Sequence, residues 1–179
     1  MIGPRQLFGY CRGATLKKFC ASFNRKLATI IDIPVTRNGA VLTGKQPDGR
    51  FLVIIDLDIN AGDPELPLDC LDPASRSTFV VRSGKGGLHV YFYVDAVLPN
   101  AKGIESKHPH VRQVDRRGEG GIIFAPGCAF KDHGFTPYRI ALDQPIATIS
   151  EPDFWRVWDL YGKTRYEERA KDPEKRAAQ

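Results

Sequence analysis

Long apolar runs are absent from this chain of 179 residues. A helix that spans a membrane needs about 18 or more consecutive apolar residues, and no segment of the sequence approaches that length. The first residues also lack the apolar stretch of a secretion signal. We therefore expect a cytoplasmic protein.

Cysteine is scarce and scattered. No two of the four cysteines have Cys-x-x-Cys spacing, so the sequence predicts neither a zinc ribbon nor a disulfide framework; they are Cys11, Cys20, Cys70 and Cys128. Irregular spacing also disfavours a zinc site built from the mixed set His108, His110, Cys128 and His133. We predict no zinc.

Two common phosphate-binding signatures are missing as well. The chain has no Gly-x-x-x-x-Gly-Lys-Ser/Thr loop, and no Gly-x-Gly-x-x-Gly opens a helix. With 42% hydrophobic and 26% charged residues, the composition is that of a globular domain with one core. We predict one domain over residues 1–150. Residues 151–179 are expected to form a helix and a charged tail, which would link to a further domain in a longer parent.

The clearest chemical feature is a pair of carboxylates after the apolar run at 51–55. Such a run favours a buried strand, in which successive side chains point to opposite faces. Asp56 and Asp58 then share one face, and Leu57 faces the core. Carboxylate oxygens suit Mg²⁺ or Mn²⁺, which leave coordination positions for water and phosphates. Taken alone, the pair is equally compatible with a strand that ends in solvent.

A glycine-rich loop at 83–87 leads into an apolar strand at 88–94. Its three glycines permit positive φ and close backbone approach, so that consecutive N-H groups can form an anion site. A histidine at the start of the strand and two cations would add hydrogen bonds and charge at a phosphate. The candidate phosphate-binding residues are Arg82, Ser83, Lys85, Gly86, Gly87 and His89. The alternative is a glycine-rich hairpin with an exposed histidine.

A third acid lies in a pattern of strand, glycine turn and strand over residues 111–126. Alternation along the first strand places Val111, Gln113 and Asp115 on one face. Asp115 can therefore join the metal site if its strand neighbours the first one. By itself, it reads as a turn residue.

Positive charge is concentrated in residues 1–50, which hold nine Lys and Arg against two Asp and Glu. These cations are interleaved with aromatic residues, a mixture suited to phosphate contacts and base stacking. The candidate nucleic-acid-binding residues are Lys17, Lys18, Arg25 and Lys26, together with Arg116 and Arg117 beside the third acid. Alternatively, apolar residues at helical spacing from Leu16 to Leu27 predict an amphipathic helix that covers the sheet.

Short strands and Gly/Pro turns fill the centre of the sequence, and helical patterns flank it. We therefore predict an α+β fold, with a long loop at 95–110 framing the cleft. A final helix after Pro152 is predicted from four residues that fit one helical face; they are Phe154, Val157, Trp158 and Tyr161.

In this order, the central elements resemble the Prim-Pol family of the archaeo-eukaryotic primase superfamily. The matching elements are Ile55-Asp56-Leu57-Asp58, Ser83-Gly84-Lys85-Gly86-Gly87-Leu88-His89, Val114-Asp115 and Gly120-Gly121-Ile122-Ile123-Phe124-Ala125-Pro126. The resemblance extends over about residues 38–140. Because family members often carry a longer segment before this region, it assigns no contact residue in the N-terminal part.

The resemblance implies a sheet of the RNA-recognition-motif type with flanking helices, and DNA primase/polymerase activity. Asp56, Asp58 and Asp115 would hold two Mg²⁺ or Mn²⁺ ions for template-directed nucleotidyl transfer. His89 and the glycine loop would hold the incoming dNTP or NTP. A single-stranded DNA template is the implied partner, with a helicase either fused or separate. Replication genes of phages, viruses and plasmids commonly carry this family.

Three other interpretations were weighed. A non-catalytic DNA-binding replication module of the same fold is one, although the intact set of three acids argues against it. Metal-dependent nucleotide-sugar glycosyltransferases also end a strand in Asp-x-Asp, but they are usually larger. The sequence His108-Pro109-His110 loosely resembles the paired histidines of rolling-circle endonucleases, and the proline between them weakens that likeness.

Removing charge at Lys17, Lys18, Arg25 and Lys26 tests the basic segment. With fewer phosphate contacts, binding releases fewer counterions from the DNA. Single-strand binding should therefore weaken, and its dependence on salt concentration should flatten. Titrations of a fluorescent oligonucleotide at several salt concentrations measure both effects. An unchanged slope would favour the covering helix instead.

Overall fold

Two β-sheets dominate the structure, which is a computed structural model. It describes residues 8–11, 24–28, 38–134 and 136–162. The strands in chain order are β1 (Phe8–Cys11), β2 (Asn24–Ala28), β3 (Asn38–Leu42), β4 (Gly44–Lys45), β5 (Phe51–Ile59), β6 (Val80–Arg82), β7 (Leu88–Val94), β8 (Ala101–Glu105), β9 (Val111–Arg117), β10 (Ile122–Phe124), β11 (Arg139–Leu142) and β12 (Ala147–Ile149).

The larger sheet has the order β11-β6-β7-β5-β9-β8, with β4 added beside β5 and β12 beside β7. All of its pairs are antiparallel except that of β12 with β7. The smaller sheet has the order β10-β3-β1-β2. Strand β5 pairs with β7 on one side and with β9 on the other, so it is an inner strand of the sheet.

Each face of the larger sheet has its own apolar core. Val53, Ile55 and Leu57 contribute to one core, which includes Val90 and Phe92 of β7. The other core contains the alternate residues Leu52, Ile54, Tyr91 and Tyr93, together with Val41 and Ile123 of the smaller sheet. Leu57 is fully buried, so the prediction that it faces the core is confirmed. Asp56 and Asp58 lie on the opposite face, the one that the smaller sheet partly covers.

The α-helices of the described residues are short and pack beside the larger sheet. They are α1 (Pro73–Arg76) and α2 (Glu151–Tyr161), and single 3-10 turns form at Leu68–Cys70 and Lys131–His133. Helix α2 begins after Ser150, whose side chain accepts a hydrogen bond from the Asp153 N-H. The four predicted helix residues are buried, which confirms the final helix; they are Phe154, Val157, Trp158 and Tyr161.

Residues 118–121 carry the chain from β9 in the larger sheet to β10 in the smaller one. The Gly118 N-H donates to Asn100 Oδ1 at 2.9 Å, and the Gly118 carbonyl accepts from Thr43 Oγ1 at 2.6 Å. A Cβ at Gly118 would lie 1.9 Å from the Leu98 carbonyl oxygen, so only glycine fits here. The predicted strand-turn-strand pattern is present, but its two strands belong to different sheets.

Two predictions of local structure were wrong. Asn24–Ala28 forms strand β2 beside β1, so the amphipathic helix does not extend to Leu27; its earlier part lies outside the described residues. Segment 95–110 is not one loop, because Ala101–Glu105 forms the edge strand β8. In both places the pairing with a neighbouring strand decides the conformation, and the local sequence pattern does not reveal that neighbour.

The mixture of antiparallel sheets and short helices confirms the α+β class. None of the helices in the described ranges has the length and apolar character that a membrane crossing requires.

Candidate active site

Three of the predicted site residues form one row across adjacent strands. Asp56 lies directly opposite His89 of β7 on one side and opposite Asp115 of β9 on the other. Side chains directly opposite each other in a sheet have Cβ atoms about 5 Å apart. The fold therefore places next to Asp56 two residues that follow it by 33 and 59 positions in the sequence.

A β-bulge in strand β9 changes the face to which Val111 points. Asp58 pairs with Gln113 whereas Ile59 pairs with Val111, so Arg112 is an extra residue in the strand. The bulge turns Val111 into the apolar core beside Val114. The prediction that Val111 shares a face with Asp115 was therefore wrong, because the alternation is interrupted at this point.

The Asp115 carboxylate is held by three donors. Its Oδ1 accepts from the Gly103 N-H at 2.7 Å and from Gln113 Nε2 at 3.1 Å. Its Oδ2 accepts from Arg117 Nη2 at 2.7 Å. Gly103 has a φ of +71° at an irregular position of β8, which allows its N-H to point toward the acid. Edge strand β8 thus completes the site.

The guanidinium of Arg117 lies between two carboxylates. Besides Asp115, its Nη2 donates to Asp56 Oδ2 at 3.0 Å. Arg117 follows Asp115 by two residues in β9, and alternation brings both side chains to the same face. The sequence named Arg117 only as a nucleotide or template contact, and its role as a bridge depends on the register of β5 with β9.

Burial raises the pKa of Asp56 to about 6, against the opposing effect of Arg117. Burial and the nearby charge of Asp56 also raise the pKa of Asp58. Asp58 is the more open of the two, and its Oδ2 lies 3.3 Å from Arg112 Nη2 at the mouth of the cleft. The pair therefore gathers negative charge at a place where burial opposes it, which is a common property of catalytic carboxylates.

His89 is a buried, neutral imidazole. Its Nε2 lies 3.4 Å from Asp56 Oδ1, and its ring is 5.6 Å from that of Tyr138. Burial lowers the pKa of His89 to about 3, and the positive charge of Arg117 acts in the same direction. Among the described residues, no group forms a hydrogen bond with His89 Nδ1. Nδ1 is itself buried, and the residue is one of those that line the cleft next to Asp56.

The glycine loop is a tight hairpin between β6 and β7. The Ser83 N-H donates to the Gly87 carbonyl at 2.9 Å, and the Gly86 N-H donates to the Ser83 carbonyl at 3.0 Å. These two N-H groups are therefore not available to an anion. Gly86 has a positive φ of 89°, whereas Gly84 and Gly87 do not. The prediction of a nest formed by consecutive N-H groups does not hold for these two amides, because the turn uses them.

Close packing explains the two other glycines of the hairpin. A Cβ at Gly84 would lie 2.5 Å from the Thr136 carbonyl oxygen, and one at Gly87 would lie 2.5 Å from the Leu57 carbonyl oxygen. The close approach at these two glycines is therefore to protein backbone, whereas the prediction concerned a bound anion. The hairpin contributes side chains to the cleft through Ser83 and Lys85.

Arg82 does not line the cleft. Its Nη1 donates to the carbonyls of Leu66 at 2.7 Å and Gly86 at 3.0 Å, and its Nε lies 3.3 Å from Glu65. Because His89 pairs with Val81 in this part of the sheet, alternation directs Arg82 to the other face. The prediction of a triphosphate contact is corrected: Arg82 stabilises the hairpin from behind.

Arg116 also points away from the acids. Its Nε donates to the Pro99 carbonyl at 2.9 Å, and its guanidinium lies over the rings of Trp155 and Trp158 at 4.7 and 4.9 Å. Neighbouring residues of a strand alternate between faces, so Arg116 and Arg117 cannot share one role. The structure retains Arg117 as a site residue and assigns Arg116 to the packing of α2.

The row of acids opens into a cleft of about 430 Å³. Its lining adds residues that the sequence did not single out for this site; they are Lys102, Arg112, Ile122, Ile123, Phe124, His133 and Tyr138. Three of them, Ile122, Ile123 and Phe124, form strand β10, so the smaller sheet forms one wall. Tyr138 stacks on His133 with an interplanar angle of 24°. Only the meeting of two sheets reveals these residues, and no local pattern in the sequence marks them.

The basic N-terminal residues are only partly placed. Lys17 and Lys18 lie outside the described residues, and Arg25 and Lys26 belong to strand β2 at the edge of the smaller sheet. The mixed histidine and cysteine set is dispersed. His108 packs on Tyr161, Cys128 donates to the Gly39 carbonyl at 2.8 Å, and His133 lines the cleft.

A divalent cation requires several oxygen ligands directed at one point. Across residues 38–134 and 136–162, no group of three or more His, Cys, Asp or Glu side chains is arranged to hold a metal ion. Arg117 occupies the space between Asp56 and Asp115 in this conformation. The donors themselves fit: they are carboxylate oxygens on one face, open to a cleft in which water and phosphate can complete the coordination.

The comparison with protein families assigns the chain to a family. The family model described as bifunctional DNA primase/polymerase, N-terminal (Prim-Pol) matches residues 23–152. The match covers more than half of the chain, and the protein belongs to the Prim-Pol family. No curated protein matches the chain. The family resemblance found in the sequence is confirmed, and membership indicates, in general terms, a nucleotidyltransferase with DNA primase/polymerase activity.

Burial acts in opposite directions on the two partners of the row. The pKa of Asp56 rises from 3.8 to about 6 on folding, so its contribution to stability falls as the pH rises through that interval. The pKa of His89 falls from 6.5 to about 3, so its contribution rises with pH between those values. Between about pH 4 and 6 the two slopes oppose each other.

Asp56→Asn should therefore stabilise the protein above pH 6 and expose the slope that His89 contributes. At about 1.4 kcal/mol per pKa unit, the gain is at most about 3 kcal/mol. Urea unfolding between pH 3.5 and 8 measures it. Asp159→Asn, an exposed change on α2, should leave the profile unaltered. A variant less stable than the wild type at pH 7 would contradict the expected sign.

Proposed function

We propose that the cleft performs template-directed, divalent-metal-dependent nucleotidyl transfer, in primer synthesis and primer extension. One observation carries the proposal. His89, Asp56 and Asp115 form a single row across β7, β5 and β9, and this row opens into a cleft lined by Ser83 and Lys85. Carboxylates that could bind a metal and side chains that could donate to phosphates therefore line the same cleft.

Asp56 and Asp58 would hold the metal, with Asp115 as the third carboxylate. When bound, two Mg²⁺ or Mn²⁺ ions activate the attacking 3′-hydroxyl and stabilise the leaving pyrophosphate. The raised pKa of Asp56 and Asp58 supports this role, because both carboxylates lack full compensation of their charge inside the protein. The backbone N-H of Gly103 and the Gln113 amide hold Oδ1 of Asp115 in place beside Asp56.

The side of the cleft next to β7 would hold the incoming nucleotide. His89 presents a neutral ring, Ser83 a hydroxyl and Lys85 a charge, which are donors suited to phosphate oxygens. The hairpin fixes Ser83 and Lys85 through its own backbone hydrogen bonds. Ile122 and Phe124 of the smaller sheet offer an apolar wall to the base.

Cations on the other side of the acids would hold the nucleic-acid strand. Lys102 of β8 is separated from β7 by three strand spacings, or about 14 Å. One triphosphate does not span that distance when its reacting phosphorus lies at the acids. Lys102 and Arg112 therefore suit backbone phosphates of a polynucleotide, and Lys85 suits the nucleotide.

The partners we propose follow from this division of the cleft. They are a single-stranded DNA template, a dNTP or NTP, and a replicative helicase that is fused or separate. Lys17, Lys18, Arg25 and Lys26 remain candidates for extending the template contact. We also propose that β7, β5 and β9 belong to a sheet of the RNA-recognition-motif type, since their antiparallel pairing and central acids suit that arrangement.

Replacing Asp56 or Asp58 with asparagine tests the chemistry. Each change keeps the side-chain volume and removes a metal ligand, so the rate of dNTP incorporation should fall at least about 100-fold. Primer extension on a primed template with Mn²⁺ or Mg²⁺ measures this rate. Asp159→Asn serves as the matched control and should extend at the wild-type rate. Incorporation by either site variant within a factor of two of the wild type would refute the assignment.

The division of the cleft is tested by Lys85→Gln and Lys102→Gln, which remove the same charge from opposite sides. Lys85→Gln should raise the KM for dNTP about fivefold and leave the KM for primed template unchanged, and Lys102→Gln should do the reverse. Steady-state extension with each substrate varied in turn separates the two effects. If both variants raise the same KM, the two sides are not distinct.

A further inference from the structure

Arg117 forms the closest charge contacts of the acidic row. A single nitrogen, Nη2, lies 3.0 Å from Asp56 Oδ2 and 2.7 Å from Asp115 Oδ2. The side chains of all three residues are largely buried, with exposed fractions of 19% for Arg117, 13% for Asp56 and 10% for Asp115. The positive charge is therefore shared between two largely buried acids.

Bonding at the other end of this guanidinium is incomplete. Arg117 Nε is buried, and it has no hydrogen-bond partner among the described residues. A buried donor without a partner carries a cost, so this arrangement persists because the two carboxylates require a cation. Without Arg117, Asp56 and Asp115 would face each other across β5 and β9 as two like charges.

We propose that Arg117 is a resident counter-ion that competes with the divalent cation for Asp56 and Asp115 and is displaced when that cation binds. The inference rests on the proposed function, because it takes these acids as metal ligands. The guanidinium fills the gap between Asp56 Oδ2 and Asp115 Oδ2, so a cation drawn to the same two carboxylates meets its positive charge there. Arg117 thus keeps the acidic row neutralised in the metal-free protein and lowers its affinity for the metal.

Direct metal binding tests the inference without any reaction. Mn²⁺ is titrated into the protein in the absence of nucleotide and DNA, and free Mn²⁺ is measured by electron paramagnetic resonance. Arg117→Gln should bind Mn²⁺ at least tenfold more tightly than the wild type. Arg117→Lys, which keeps a competing charge, should stay close to the wild type. Lys102→Gln removes the same charge from the same cleft and should change the affinity less than threefold.

A measurement on the unaltered protein is independent of whether the variants fold. The Nε-H signal of Arg117, assigned by its loss in Arg117→Lys or in an Arg117→Gln sample, is followed by nuclear magnetic resonance while Mg²⁺ is added. Displacement should shift the signal and speed its exchange with water. If neither variant folds, the arginine Nε-H signals are followed without assignment. A signal that shifts when Mg²⁺ is added supports the inference, and a spectrum that Mg²⁺ leaves unchanged overturns it.

The outcomes separate this inference from the function on which it rests. If Arg117→Gln binds Mn²⁺ no more tightly than the wild type while Asp56→Asn abolishes binding, the acids are metal ligands and the competition is refuted. A merely structural role for Arg117 would weaken metal binding in Arg117→Gln, and that result also overturns the inference. If Mn²⁺ binds equally to Asp56→Asn and the wild type, the proposed metal site itself fails.

Discussion

The register of β5 with its two neighbours is the constraint on which the site depends. Asp56 is opposite His89 and Asp115 at the same time, so a shift of either neighbour by one residue would turn its functional side chain to the other face. The apolar residues on both faces of β5 hold this register, since they fill two separate cores. The same strand therefore supplies both the acids of the site and the core residues that fix their position.

Burial on both faces also sets the electrostatics. The cores that surround β5 keep water from the base of the cleft, which raises the pKa of Asp56 and lowers that of His89. Arg117 offsets part of the negative charge, and Asp115 is satisfied by hydrogen bonds from β8 and β9. The negative charge of the site is thus offset by a few individual ion pairs and hydrogen bonds, and each of them can be altered by a single substitution.

The sequence was sufficient for the parts of the site that follow a strict period. The buried strand, the shared face of Asp56 and Asp58 and the core position of Leu57 all follow from alternation. Alternation failed at Val111, where a bulge inserts one residue. At Arg82 alternation holds, but only the pairing of β6 with β7 shows that it turns Arg82 away from the cleft. Lys102, Phe124 and Tyr138 were not predicted for the site because they reach the cleft only through contact between elements distant in sequence.

The turn at 118–121 has a mechanical consequence. It joins β9, which contributes Arg117 to the lining of the cleft, directly to β10, which contributes Phe124. Hydrogen bonds from Thr43 and to Asn100 fasten the turn from both sides. The two sheets are thus held together at this end of the cleft. We expect any widening of the cleft to occur at the opposite end, so the distance between β9 and β10 near the turn limits the size of a group that can bind between them.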